Sequence, residues 1–429
     1  MKICIIGAGV VGSYLAKNLS QEGYDVAIID RDREKIEDIQ NSIDVAAFTC
    51  DAFDEECIGE FKDFDFFIVV TNKDEVNLSV ALILKAVLKK EKVLIRVDKD
   101  ILSKKEIEHF LGVEIVNTFG EIYRNVETLI DYPFMKYFNE LEEGKFVLFG
   151  YKIKEDRLKN VKISELKTIR SIIPFTIVLI ERDGKSLIPK GDRVLLENDT
   201  VYILIEKTHL NSFIKEFKIP YLKINSVVFL GSSKLGDSLL KRLSHEKKLN
   251  IKVIEPDIEK CEQIAEENPE VMVIHGKYTD EELLKKEEIS EADLVISASY
   301  GEDGILACIL AKRLGAKKVL ALIEKPEYEE IAVSLGIDIP IVARKLVARK
   351  VYRKIKHKGF VDVFELKKDL NVYEKFVDKK LEGKKVSEIS TKNFIILGMK
   401  RDDTMYIVSG DTVLHEGDTL IVLEGISDE

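Results

Sequence analysis

No apolar run in this 429-residue chain reaches the roughly 18 residues that a membrane-crossing helix needs. The longest, "DFFIVV" and "SVALILKAVL", suit buried strands or helices. A strand pattern begins directly after Met1, so the absence of a signal peptide and a cytoplasmic location are expected. Cysteine is scarce: Cys4, Cys50, Cys57, Cys261 and Cys308 are scattered, odd in number and without CxxC spacing. In a reducing compartment they are expected to be small buried hydrophobes, neither disulfides nor zinc ligands. Positive charge is in deficit, with 66 Lys and Arg against 77 Asp and Glu and a net charge of −11. That balance argues against nucleic acid as a partner. The six histidines fall into no HExxH spacing, and the chain has no GxSxG and no Walker A loop. His275 is the best single candidate for acid–base chemistry, and a plain strand-end residue is the simpler reading of it.

What is present is a duplication. "ICIIGAGVVGSYLAKNLSQEGYDVAIIDRDREKIEDI" in the first half matches "SVVFLGSSKLGDSLLKRLSHEKKLNIKVIEPDIEKCEQI" in the second. Each half opens with apolar strands and amphipathic helices at βαβ spacing, which predicts an α/β fold of two Rossmann-type, doubly wound parallel sheets. Each then changes to short β runs with Asp-Gly and Lys-Gly turn signals, predicting a small α+β module. "PKGDRVLLENDTVYILIE" and "VSGDTVLHEGDTLIVLEG" are the matching phrases. The expected domains are residues 1–130 (Rossmann-type), 131–224 (linker helix and small module), 225–358 (Rossmann-type) and 359–429 (small module).

Between the parts of each half sits an amphipathic helix, "TFGEIYRNVETLIDYPFMKYF" and "PIVARKLVARKVYRKIKHK". In the second, Ile341, Leu346, Val347 and Val351 give one apolar face. That face either crosses to another copy or packs back on its own domain.

Gly7-Ala8-Gly9-Val10-Val11-Gly12 is a full GxGxxG between the strand "KICII" and a helix. Gly7 serves the tight turn, Gly9 lets the backbone approach a pyrophosphate, and Gly12 lets helix and strand pack closely. Amides at the helix N-terminus then face the phosphates. Asp30 ends the next strand 18 positions after Gly12, where an acid accepts ribose hydroxyls and repels a 2′-phosphate. NAD(H) or an adenosine nucleotide is therefore favoured over NADP(H), with Arg31 alongside as the opposing feature. Asp51, Thr71, Asn72 and Arg96 follow the third, fourth and fifth strands and belong to the same carboxyl edge.

The matching loop, Gly231-Ser232-Ser233-Lys234-Leu235-Gly236, has lost its middle glycine. Ser233 puts a Cβ where the backbone should approach a phosphate. Glu255 keeps the ribose acid, Lys277 replaces Asp51, and Tyr300 and Gly301 replace Asn72 and Lys73. Either the new lysines serve another nucleotide, or the pocket is a vestigial support. A dehydrogenase needs a proton donor and a substrate-orienting cation near the nicotinamide. The small modules carry no such cluster, which fits a sensor better than an enzyme.

"GAGVVG", "DVAIIDRD", "CDAFDEECI", "FFIVVTNKDEVNLSVALILK", "LACILAKRLGAKKVLALIE" and "LHEGDTLIV" together resemble the TrkA family. These are peripheral subunits of Trk potassium uptake systems, built from regulator-of-potassium-conductance (RCK) domains. The resemblance covers nearly the whole chain. It implies a non-enzymatic homo-oligomeric ring under a membrane-embedded potassium transporter subunit, with membrane association only through that partner. It implies NAD(H) or ATP and ADP at the sheet edges. Carried over by residue, the first site is Gly7, Ala8, Gly9, Val10, Val11, Asp30, Thr71, Asn72 and Arg96. The second is Gly231, Ser232, Ser233, Lys234, Leu235, Glu255 and Ser299. The alternatives are an NAD-dependent oxidoreductase with a substrate site at a subunit interface, or a regulator of another cation channel or antiporter.

Overall fold

Runs such as "KICII" have no polar side, and Ile3, Cys4 and Ile5 are fully buried, as a strand covered on both faces requires. The computed structural model describes residues 1–154, 156–220, 223–299, 301–356, 371–389, 394–402 and 404–424. In the first half, β1 (Lys2–Ile6), β2 (Asp25–Asp30), β3 (Ala46–Thr49), β4 (Phe66–Val69), β5 (Lys92–Val97) and β6 (Glu114–Asn117) are strands. They alternate with α1 (Val10–Gln21), α2 (Arg33–Ser42), α3 (Glu55–Gly59), α4 (Asp74–Ala86), α5 (Lys105–Leu111) and α6 (Thr118–Asp131). The strands pair in parallel in the order β3-β2-β1-β4-β5-β6, so the order reverses between β1 and β4.

An antiparallel sheet follows, β7 (Met135–Leu141), β8 (Phe146–Lys152), β9 (Phe175–Arg182), β10 (Lys185–Leu187) and β11 (Thr200–Glu206), ordered β10-β9-β11-β8-β7. The helices α7 (Lys167–Arg170) and α8 (Leu210–Phe217) accompany it. The buried edge-to-face ring cluster of Phe175, Phe213 and Phe217 fixes α8 onto the sheet.

The second half repeats the plan with β12 (Ser226–Leu230), β13 (Asn250–Glu255), β14 (Met272–His275), β15 (Leu294–Ser297), β16 (Val319–Ile323) and β17 (Ile339–Val342). Its helices are α9 (Lys234–Glu246), α10 (Ile258–Glu267), α11 (Glu281–Lys286), α12 (Glu302–Arg313), α13 (Tyr328–Ser334) and α14 (Ala343–Lys356). The parallel order is again 3-2-1-4-5-6, as β14-β13-β12-β15-β16-β17. The last described strands are β18 (Asn371–Phe376), β19 (Phe394–Arg401), β20 (Thr404–Tyr406) and β21 (Thr419–Glu424), antiparallel in the order β18-β21-β19-β20.

Like repeats pack with like. One unit combines Met1–Glu127 with Ile224–Tyr352 and holds both parallel sheets. The other combines Thr128–Lys223 with Arg353–Glu429 and holds both antiparallel sheets. In the first, the Arg242 guanidinium lies 4.1 Å over the Tyr123 ring, Tyr123 donates to Glu246, and Lys247 pairs with Glu127 at 3.1 Å. In the second, Leu148 and Leu204 share a core with Leu397 and Ile421. The expected boundary at 358/359 lies outside the described residues.

The amphipathic segments differ in detail from the sequence reading. Ile341, expected on a helix, belongs to β17, because the β-branched run "IPIV" completes the parallel sheet. Val347 and Val351 are fully buried within the first unit, so that face packs on its own chain. Among the described residues no helix is long and apolar enough to cross a membrane.

Candidate nucleotide site

The site begins at the first glycine loop. Gly7 has φ +112°, a conformation that favours glycine, and a Cβ there would sit 3.0 Å from the Thr71 amide nitrogen. A Cβ on Gly12 would lie 1.8 Å from the Gly7 carbonyl oxygen, so α1 packs against the loop with no room for a side chain. Gly9 is different: it caps α1 without a side-chain hydrogen bond, and a Cβ there would meet nothing within 4 Å. The helix N-terminal amides therefore open onto space, as an anion site requires.

That space is a cavity of about 610 Å³ at the switch point of the sheet, within the range of small-molecule pockets. Gly7, Gly9, Val10, Val11, Asp30, Asp51, Thr71, Asn72 and Arg96 line it together. Ala8 lies behind, and its N–H donates to Asp30 Oδ2 at 2.7 Å. The other Asp30 oxygen accepts the Asp32 amide at 3.0 Å. Arg31, Lys35 and Lys73 add positive charge to the walls.

Buried polar groups hold the edge in shape. Asn77 is 1% exposed; its Oδ1 accepts the Thr71 amide at 3.0 Å and the Thr71 hydroxyl at 2.6 Å. Its Nδ2 donates to the carbonyls of Thr71 at 3.0 Å and Arg96 at 2.9 Å, tying β4 to β5. Asp74 accepts the amides of Asp98 and Lys99. Arg96 is paired with Asp98 at 3.0 Å and donates to the Thr118 hydroxyl at 2.9 Å, which aims its guanidinium along the cavity edge.

Sequence reading missed one whole wall. Thr118 and Phe119 line the cavity, and so do Glu324, Ala343 and Val347 of the second half. A wall supplied by the other repeat leaves no local signal near the glycine loop.

The second crevice is built from the matching residues but is shaped differently. Ser233 Oγ accepts the Gly236 amide at 3.1 Å and so occupies one donor of the α9 N-terminus. Ser232 donates to Asp237 at 2.8 Å. Asp237, exposed on α9, stands where the first half has Ser13. Glu255 is 3% exposed, accepts the Asp257 amide, and its carboxyl is pushed above its ordinary range by burial. Tyr278 lies against Gly231, where a Cβ would meet its ring at 2.9 Å, and its hydroxyl donates to Ser299 at 3.1 Å. The register of β16 places Leu322 where β5 has Arg96. Leu235 is buried in the core, and Lys234 and Lys277 point to solvent. Tyr300 lies outside the described residues. His275 ends β14, with its Nε2 3.0 Å from the Pro256 carbonyl.

One expectation is overturned. Cys50 and Cys57, read as separate thiols, form a disulfide across the β3–α3 turn, with their Cα atoms 5.9 Å apart. Asp54 caps α3 and folds the turn back, bringing the two positions together. Cys4, Cys261 and Cys308 are free and buried, as expected.

The TrkA-N domain model matches residues 3–117 and 227–343, and the TrkA-C domain model matches residues 148–218 and 375–425. The chain is 29% identical over 430 residues to a "Trk system potassium uptake protein TrkA homolog" of Archaeoglobus fulgidus, covering 98% of this chain and 97% of the relative. It is 26% identical over 444 residues to the "Trk system potassium uptake protein TrkA" of Vibrio alginolyticus, covering 98% and 95%. Among solved structures, the GsuK RCK domain superposes with a TM-score of 0.65 at 14% identity, covering 99% of this chain and 92% of that one. A GsuK channel bound to NAD gives a TM-score of 0.66 at 15% identity, covering 99% and 76%. At such identities the likeness speaks for the fold.

Proposed function

The chain belongs to the TrkA-N and TrkA-C domain family, and from that premise we propose that it is a non-enzymatic, nucleotide-responsive regulatory subunit of a potassium uptake transporter. One observation carries the reading: the open Gly9 amides and the Asp30 carboxylate share a cavity whose far wall comes from the other repeat.

NAD(H) is the ligand the site suits best, with ATP or ADP as related occupants. The amides at Gly9, Val10 and Val11 receive the phosphates, and Asp30 retains acceptor capacity for ribose hydroxyls beside its two backbone donors. Because Glu324, Ala343 and Val347 close the cavity, a bound nucleotide touches both repeats at once. A ligand that prefers one arrangement of the repeats shifts the population toward it, with no bond broken. The second crevice, with Tyr278 against Gly231 and no arginine at Leu322, is a support in this reading. The protein works as a cytoplasmic homo-oligomeric ring that reaches the membrane only through its transporter partner. The names of its relatives support that partner.

The test is reconstitution with a Trk-type membrane subunit in vesicles, measuring potassium flux with and without NADH or ATP. Nucleotide-dependent flux that disappears with Gly9→Asp supports the proposal. Flux indifferent to both nucleotides and to the variant contradicts it.

A further inference from the structure

One partner of the Cys50–Cys57 bond, Cys50, lies in the wall of the cavity, and only one repeat has the bond. Cys50, Asp51, Ala52 and Phe53 all line the cavity. The Cys50 amide donates to the Asp30 carbonyl at 2.9 Å, so the pair connects directly to the strand end that carries the ribose acid. In the second half the matching positions are Gly276 and Leu283, where a Cβ on the glycine would lie 2.5 Å from the leucine side chain. There the turn is closed by apolar packing; in the first half it is closed by sulfur.

We infer that Cys50 and Cys57 form a redox-modification site for small disulfides that tunes nucleotide affinity at the first crevice. The inference rests on the reading that this crevice binds a nucleotide. Cys57 is half-buried and Cys50 is 5% exposed. The Cys57 thiolate attacks a small disulfide, releasing one small thiol and leaving a mixed disulfide on Cys57. The Cys50 thiolate then displaces the second small thiol and closes the internal bond. Two protein thiols lose two electrons and two protons, and one small disulfide becomes two thiols.

The oxidised form binds nucleotide more tightly. The bond closes a loop with a sequence separation of seven, and that loop contains the wall residues Asp51, Ala52 and Phe53. Fixing a wall before the ligand arrives reduces what must be ordered on binding. In the reduced form Asp54 still caps α3, but the wall is no longer tied across the turn. Disulfides in reducing compartments are commonly transient and sensory, which suits this placement.

The experiment is calorimetric titration of the full chain with NADH after treatment with glutathione disulfide or with dithiothreitol. The oxidised protein should bind at least about fivefold more tightly. Cys57→Ser, which leaves Cys50 in the wall, should bind like the reduced parent under both treatments. By linkage, NADH should shift the equilibrium of the pair against a glutathione buffer by the same factor. Equal affinity in both forms, or thiols that stay free under oxidant, overturns the inference while the nucleotide site stands. Absence of binding in either form overturns the nucleotide reading and this inference with it.

Discussion

The amide of Ala8 donates to Asp30 Oδ2 across 2.7 Å, so the acid that faces the cavity also holds the glycine loop at the end of β2. Asp30→Ala should therefore act twice. Nucleotide affinity should fall by about tenfold to hundredfold, and stability by about 1 kcal/mol, because a charge-assisted bond and a backbone partner are lost together. Calorimetry and urea denaturation on the same sample check both.

Gly9 and Gly12 separate binding from folding. Gly9→Ala meets no protein atom within 4 Å and should leave the urea midpoint unchanged while weakening nucleotide binding. Gly12→Ala places a carbon 1.8 Å from the Gly7 carbonyl oxygen and should cost about 3 kcal/mol, measured as a lower urea midpoint. Equal effects of the two on stability would contradict the assignment.

Asn77, 1% exposed on α4, has a structural duty at the cavity edge. Its four bonds to Thr71 and the Arg96 carbonyl are partly buried. Asn77→Ala should destabilise the protein by about 3 kcal/mol, since the carbonyls and amide left behind lose their partners. Hydrogen exchange at the Thr71 amide should accelerate.

Arg401 holds the Asp418 carboxyl below the ordinary carboxylate range, with two bonds of 2.7 Å to a side chain that is 2% exposed. A depressed acid stabilises the fold above its unfolded pKa of about 4, and that contribution is lost as pH falls through the depressed value. Asp418→Asn should cost about 2 kcal/mol at neutral pH, a figure moderated by the partly exposed arginine. The gap to the parent should narrow below about pH 4. A gap independent of pH would contradict it.

The first glycine loop was legible because its signals are local: a strand, three glycines, a helix and an acid within one βαβ unit. The doubled parallel sheets were legible for the same reason. The wall from Glu324, Ala343 and Val347 was not, because it depends on how the repeats pair in the folded chain. Nor were Tyr278 and Leu322, whose meaning comes from register: one lies against a glycine turn, the other takes the place of an arginine. Composition concealed the Cys50–Cys57 bond, since a scattered odd set gives no pairing until Asp54 folds the turn.

The most direct measurement of the central claim is calorimetric titration of the purified chain with NADH, NAD, ATP and ADP, recording stoichiometry. The account predicts one equivalent per chain, with binding removed by Gly9→Asp and retained in Tyr278→Phe. Two equivalents would show that the second crevice is a working site, and no binding of any of the four would contradict the nucleotide-regulated reading altogether.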